Sequence, residues 1–359
     1  MLKKSWMLFK FEALKAELAA ESRALGFQKL GVTDLDLAED EPRFLSWLSA
    51  GFAADMTYLS RHQDKKLNPE RLLPGTARVI CVRMDYLPQS AANSLKTPGK
   101  AYIARYALGR DYHKLIRKRL QRLADWLTER VATHQYRVFC DSAPVLEKAL
   151  ARKAGLGWVG KHTLVLDRGA GSWFFLGEIY TDVPLPVDEP VSAHCGSCRA
   201  CMDVCPTDAI VAPYQLDSRR CIAYLTIENK GPIPLEYRPL IGNRVFGCDD
   251  CQLVCPWNKY AQATQEGDFE VRQRLDCVAL LELLSWGAEE FERYSRGSAI
   301  RRVGYFGWLR NVFVALGNEA CSSDIVRALE DKALRERASE SWPDWLVEHW
   351  LWAKRQQGA

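Results

Sequence analysis

The spacing of apolar and polar residues divides this chain into a mixed first half, a cysteine-rich middle and a helical last third. Phe11, Leu14 and Leu18 recur at helical spacing and predict an amphipathic helix over 11–25, with a short strand at Phe27–Val32 after it. The turn Leu73-Pro74-Gly75 leads into a strand that runs to Tyr86. Asp111 is placed to cap a long helix over 112–133. Tyr136–Cys140 reads as a further strand, passing through Asp141-Ser142-Ala143-Pro144 into a helix that ends near Lys153. Gly155-Leu-Gly-Trp-Val-Gly160 is a glycine-rich turn, and Thr163–Leu166 and Ser172–Tyr180 read as adjacent strands. From about residue 270 to 355 the pattern is helical throughout, with Tyr305–Gly317, Ser323–Glu330 and Trp345–Lys354 forming stacked helix pairs.

This order predicts an α+β fold (α/β-like) in three parts: a mixed domain at 1–185, a cysteine module at 186–262 behind the proline-rich stretch Val183–Pro190, and a helical region at 263–359. With 48% hydrophobic and 26% charged residues, the composition is that of a globular chain. No run approaches the roughly 18 apolar residues of a membrane span, and the first residues lack the apolar core of a secretory signal. Four of the 12 cysteines (Cys81, Cys140, Cys277, Cys321) are scattered in apolar contexts, as reduced, buried thiols are. A cytoplasmic location without a membrane partner is the expectation.

The other eight cysteines carry the chemistry. Cys195, Cys198, Cys201 and Cys205-Pro206 reproduce the C-x2-C-x2-C-x3-C-P spacing of two-cluster ferredoxins, in which the last cysteine of each run serves the other cluster. The second run, Cys248, Cys251 and Cys255-Pro256, lacks its first ligand, because Val245 stands there. Cys221, between the runs, is the natural substitute. One [4Fe–4S] cluster is therefore assigned to Cys195, Cys198, Cys201 and Cys255, the other to Cys205, Cys221, Cys248 and Cys251. Zinc also takes C-x2-C pairs, but has no need of the C-x3-C-P ending twice.

A ferredoxin module moves electrons and selects no substrate, so the first domain must hold an acceptor. Spacing alone does not name it. Gly155-x-Gly157-x-x-Gly160 follows a predicted helix, which favours a tight turn over a nucleotide loop. Asp111-Tyr-His113 opens a helix and reads as its N-cap. Asp141, at a strand end, is either a site residue or the cap of the helix after Pro144, and Glu147 and Lys148 fit an exposed helix face. Two basic clusters fit RNA phosphates: Arg293, Arg296, Arg301, Arg302 and Arg310, interleaved with Tyr294, Tyr305, Phe306 and Trp308, and a helical set from Arg110 to Arg122.

Several segments together resemble the epoxyqueuosine reductase family. They are Arg105-Tyr-Ala-Leu-Gly-Arg-Asp-Tyr-His113, Asp141-Ser-Ala-Pro-Val-Leu-Glu147, Lys153-Ala-Gly-Leu-Gly-Trp-Val-Gly-Lys-His162, Arg220-Cys-Ile-Ala-Tyr-Leu-Thr-Ile-Glu228, Gly247-Cys-Asp-Asp-Cys-Gln-Leu-Val-Cys-Pro-Trp-Asn258 and the cysteine pattern. The resemblance runs from about residue 11 to Gly317 and is weakest after about 320. It implies reduction of epoxyqueuosine to queuosine at the tRNA wobble position, the last step of queuosine biosynthesis. It also implies cobalamin as the acceptor, bound by the first domain without a lower-face histidine, and a C-terminal HEAT-like α-helical repeat that binds tRNA. Asp141 matches the family's proton donor, with a pKa raised by burial beside the corrinoid. Corrinoid contacts are implied at Arg61, Asp141, Ser142, Ala143, Val165 and Leu176, and tRNA contacts are assigned to Arg296, Arg301 and Arg302. The partners expected are tRNA carrying epoxyqueuosine and an external electron donor, with the chain a monomer. The competing readings are another corrinoid iron–sulfur reductase, such as a reductive dehalogenase, and a ferredoxin-type electron-transfer subunit. The dehalogenases carry an export leader and have no use for an arginine–aromatic patch, and a carrier needs no 185-residue first domain.

Overall fold

The computed structural model describes residues 2–337 and 342–359. Its first part is built on one antiparallel sheet. The elements in chain order are α1 (Leu2–Ala24), β1 (Lys29–Thr33), β2 (Arg78–Asp85), α2 (Tyr112–Thr128), β3 (Tyr136–Phe139), α3 (Glu147–Lys153) and β4 (Phe174–Thr181). The sheet order is β1-β2-β4-β3, and every neighbouring pair is antiparallel. Helix α2 buries Ile116, Leu120, Leu123, Ala124 and Leu127, a single stripe at helical spacing. That stripe lies on one face of the sheet together with Leu14 and Leu18 of α1. Gly177 permits the contact, since a Cβ there would stand 2.9 Å from the Leu120 side chain. Helix α3 covers the other face through Ala149, Leu150 and Ala151, and Gly31 of β1 lets the carbonyl of Ala154 approach.

The pairing of β3 with β4 shapes everything that follows. Strand β4 has eight residues and β3 only four, with Phe139 opposite Glu178 as its last pair. Beyond that point the chain leaves the sheet at Cys140 and Asp141. The Phe174–Gly177 half of β4 is left without a strand partner on that side.

Thr163–Leu166 and Ser172–Tyr180 are not neighbours. Val165–Leu166 pairs with Trp158–Val159 in a separate two-stranded ribbon, while Phe174–Thr181 joins the main sheet. The reason is local: Gly155, at φ +70°, ends α3, and Gly157 lies so close to the Leu166 carbonyl that only a glycine fits. The glycine-rich segment is thus a turn and half of a ribbon, not a nucleotide loop. The long helix stops at Thr128, short of the expected 133.

The cysteine module contributes α4 (Ile222–Ile227), and the last part contains α5 (Leu280–Ser285), α6 (Ala288–Ser295), α7 (Tyr305–Gly317), α8 (Ser323–Arg337) and α9 (Asp344–Gln356). Residues 270–279 are a loop, not helix. One core joins these helices to Ala101–Leu108 of the first part and to Val245 and Phe246. Arg244–Phe246 forms a short parallel pair with Tyr102–Ile103, so position 245 points into a packed core, where a cluster thiolate has no place.

Arg310 and Trp308, expected on an RNA-binding face, are fully buried in α7. The Arg310 guanidinium donates to the carbonyls of Leu225 (2.8 Å), Asn229 (2.9 Å) and Gly231 (2.6 Å). Asn311 Nδ2 donates to those of Thr226 and Val245. A cation at a helix C-terminus satisfies carbonyls that the helix cannot. The helix so anchored, α4, starts immediately after Cys221. Burial pushes the Arg310 pKa down to about 10. Arg310→Ala leaves three buried acceptors unpaired and should cost about 3 kcal/mol. The check is a lowered denaturant midpoint, with Asn311→Ala milder because it frees two carbonyls and removes no charge.

Candidate active site

The chain leaving β3 turns sharply. Asp141 sits at φ +57°, a left-handed conformation that aspartate tolerates better than most residues. Its amide donates to the Glu147 carboxylate, and Ser142 N–H donates to Cys140 O at 2.7 Å. Helix α3 starts at Glu147 with Leu146 as its N-cap, so Asp141 caps nothing. A cleft opens here, of about 160 Å³ and open on one side, lined by Tyr112, Asp141, Glu147, Lys148, Leu164, Val165, Ser172, Phe174, Phe175 and Leu176. Its floor is the unpaired half of β4.

The Asp141 side chain is 44% exposed in this concave setting. Burial pushes its pKa up, but the hydrogen bond and charge of His113, the Tyr112 hydroxyl and the Arg302 charge outweigh that, and the net shift is downward. Asp141 is therefore a carboxylate here, and the expected upward shift is not found. The reason is His113: its Nε2 lies 2.9 Å from Asp141 Oδ2, and its Nδ1 lies 2.6 Å from Asp111 Oδ1. Burial alone lowers the His113 pKa, yet the two carboxylates raise it to about 9. Asp111 does cap α2, accepting from His113 N–H at 3.0 Å. Reading Asp111-Tyr-His113 as a cap was right for Asp111 and missed the histidine ring. The missed signal was an imidazole two residues after a capping aspartate, within reach of the same oxygen that caps the helix.

Glu147 and Lys148, expected on an exposed helix face, line the cleft. Burial, followed by the Asp141 charge, pushes the Glu147 pKa up to about 7. Glu178 is fully buried in the middle of β4, and burial and the Glu147 charge hold it well above the usual carboxylate range. Burial pushes the Lys148 ammonium down, opposed by the charges of Glu147, Asp141, Cys221 and Cys251. Lys148 thus lies within electrostatic reach of both the cleft and one group of cysteines.

Seven of the eight cysteines act electrostatically on one another, in two groups that share Cys201. Burial pushes the Cys201 thiol up to about 11, and Cys255, Cys195 and Cys198 push it the same way. Cys251 is raised by burial and then by Cys221, Asp249, Cys201 and Cys205. Cys221 accepts from the amides of Tyr224 and Ala223, and the Ala209 amide lies 3.2 Å from Cys205 Sγ. Hydrogen bonds of this kind to cysteine sulfurs are among the factors that set the potential of an iron–sulfur cluster. Cys248 Sγ is turned to Asp250, 2.8 Å away, which a buried ion pair with Arg244 fixes at 2.6 Å.

Of the residues expected to touch a corrinoid, Asp141, Val165 and Leu176 line the cleft, Ser142 and Ala143 share the Asp141 turn, and Arg61 lies outside the lining on an exposed loop. The lining offers an apolar platform and contains no histidine or cysteine. Beside it, the buried His162 Nε2 has no hydrogen-bond partner, while Nδ1 accepts from Leu164 N–H. The apolar floor suits a flat ring. Arg296, Arg301 and Arg302 are all exposed. Arg302 pairs with Glu228 at 2.8 Å, lies over the Tyr58 ring and acts on Asp141. Arg301 pairs with Glu292 at 2.5 Å, and Arg296 is exposed.

The family model described as "Epoxyqueuosine reductase QueG, DUF1730" matches residues 66–142, and that described as "4Fe-4S double cluster binding domain" matches 194–258. The chain is 56% identical to the epoxyqueuosine reductase of Pseudomonas aeruginosa over 94% of its own length and 92% of that protein's. It is 53% identical to that of Escherichia coli over 93% and 86%. Its fold is similar to a crystal structure of epoxyqueuosine reductase with an epoxyqueuosine-modified tRNA-Tyr stem loop, with a TM-score of 0.89, 28% identity and coverage of 97% and 91%. It is also similar to a Bacillus subtilis epoxyqueuosine reductase whose catalytic aspartate loop is swung out of the active site, with a TM-score of 0.87 and 28% identity over the same shares.

The raised His113 pKa has a consequence for stability. A histidine whose folded pKa exceeds its unfolded value of about 6.5 stabilises fully below that value, and loses the contribution as pH rises through the folded one. Asp111 and Asp141, both shifted down, stay ionised across this range. The gap in melting temperature between the parent protein and His113→Gln should be widest near pH 6 and close toward pH 10. Calorimetry across that range checks it.

Proposed function

The chain belongs to the epoxyqueuosine reductase family, and we propose that it removes the epoxide oxygen from epoxyqueuosine at the wobble position of tRNA, with cobalamin in the Asp141 cleft and two [4Fe–4S] clusters as electron carriers. The balance is simple. Two C–O bonds break, a carbon–carbon π bond forms, and the oxygen leaves as water with two electrons and two protons. The observation that carries the reading is one acid, Asp141, placed on a strained turn over an apolar cleft that Lys148 links electrostatically to the cysteines.

A bound corrinoid would supply a strongly reducing cobalt centre, and Val165, Leu176 and the Asp141 turn are the residues to hold it. The protein's own part is proton handling. Asp141, ionised at rest, takes up a proton at Oδ2 and passes it to the departing oxygen, which converts a poor leaving group into hydroxyl and then water. The turn is held at Asp141 N–H by Glu147 and at the Ser142 hydroxyl by Arg117. A relative's structure has its catalytic aspartate loop swung out, and these two contacts are the latch that sets the same loop here.

Cys195, Cys198, Cys201 and Cys255 hold one cluster. Cys205, Cys221 and Cys251 hold the other, with Cys248 joining once its thiol turns from Asp250. The tRNA approaches over the face that carries Arg296, with Arg301 at its border. Arg302 works at the cleft rim, where it meets the modified nucleoside more readily than the phosphate backbone.

Asp141→Asn keeps the shape of the turn and removes the acid. Single-turnover conversion of a modified stem loop by pre-reduced enzyme should fall about 10²–10⁴-fold, with stem-loop affinity and iron content retained. Near-parental conversion would remove Asp141 from the mechanism. Cys221→Ser should lower iron in anaerobically reconstituted protein from about eight to about four per chain. Eight irons in that variant would show that another residue fills the Val245 gap.

A further inference from the structure

The Asp111–His113 pair is more than a helix cap. The cap uses the His113 backbone N–H and one Asp111 oxygen. The imidazole is not needed for it, yet the ring is fixed on both sides. It stacks on Tyr112 with centroids 4.2 Å apart, and Tyr112 lies flat on Phe175 at 3.9 Å. Each ring nitrogen faces a carboxylate, Asp111 at 2.6 Å and Asp141 at 2.9 Å. Between two ionised carboxylates both nitrogens must donate, so the ring holds a transferable proton against the oxygen proposed to act as acid.

We propose that Asp111 and His113 form a proton relay that reloads Asp141 during turnover. The inference rests on the reading of Asp141 as the acid. Reduction consumes two protons, and Asp141 is ionised at rest, so each proton must be delivered to it. In the relay step the His113 Nε2–H bond breaks and an O–H bond forms at Asp141 Oδ2. The products are a neutral carboxyl and a neutral imidazole, whose Nδ1–H stays on Asp111. No electrons move. Solvent returns a proton to Nε2, since the His113 side chain is 20% exposed. Asp111 plays the part that a buried aspartate plays in a serine-protease triad: it fixes the tautomer and stabilises the imidazolium.

Other charged and titratable groups surround the relay. Lys114 and Arg117 lie on its own helix, Glu147 on α3, Tyr58 and Tyr106 on the preceding segments, and Glu228 and Arg302 on the far side of the cleft. None of them comes within hydrogen-bond distance of the His113 ring in the way the two aspartates do. The raised His113 pKa, about 9, agrees with an imidazolium at rest.

The test is steady-state reduction of the modified stem loop by cluster-loaded, cobalamin-supplied enzyme between pH 6 and 10. His113→Gln keeps an N–H donor toward Asp141 but cannot pass a proton. Its kcat should fall about 10²-fold with KM little changed, and the fall in parental activity near pH 9 should vanish. Asp111→Asn should move that fall toward the ordinary imidazole value of about 6.5. If His113→Gln loses its iron on purification, the Asp111→Asn profile decides. A kcat within about threefold of the parent in His113→Gln, or an unmoved alkaline limb in Asp111→Asn, overturns the relay. Asp141→Asn is run beside them. If it is inactive while His113→Gln is active, only the relay fails, and if Asp141→Asn is itself active, the reading beneath it fails.

Discussion

The four-residue length of β3 is the constraint on which the site depends. A strand as long as β4 would cover its whole edge, and the cleft would not exist. Because β3 stops opposite Glu178, the chain must turn away at Cys140–Asp141, and the turn leaves Phe174–Leu176 to line the cleft as its floor. The left-handed backbone at Asp141 follows from that departure. Strain at one residue of a turn persists only where its surroundings over-determine it. Here Glu147, Arg117 and His113 supply three separate holds on two consecutive residues.

Charge in the cleft is arranged around the same turn. Glu147 and Glu178 are pushed up by burial, Asp141 is pulled down by His113, and Lys148 is lowered by burial among them. Acids with opposed shifts in one cleft separate a proton donor's roles from those of a fixed charge. The cysteine module is tied in mechanically as well. Arg310 and Asn311 of α7 anchor α4, the helix that follows Cys221. The C-terminal helices thereby fix the helix that follows Cys221.

Much of this was legible in the sequence, for identifiable reasons. The cysteine runs are local motifs, and their spacing carries the chemistry without reference to the rest of the fold. The Val245 gap was visible for the same reason. The α2 stripe and the α7 boundaries follow from helical periodicity. What was hidden depends on partners far along the chain. Asp141 lies 28 residues from His113, and nothing local to either announces the pair. Arg310 read as an RNA contact because its neighbours are basic and aromatic. Its burial is set by carbonyls some 80 residues earlier. The ribbon of Trp158–Val159 with Val165–Leu166 competed with the main sheet for the same apolar residues, and the close fit at Gly157 decided the outcome.

The central claim is that this cleft, supplied with electrons through two clusters, reduces an epoxide on tRNA with the help of a corrinoid. The most direct measurement is nucleoside mass analysis of an epoxyqueuosine-bearing stem loop after anaerobic incubation with cluster-loaded protein and reductant, with and without cobalamin. The account predicts loss of one oxygen atom from the modified nucleoside only when cobalamin is present. Full conversion in its absence, or none with cobalamin and intact clusters, would contradict it.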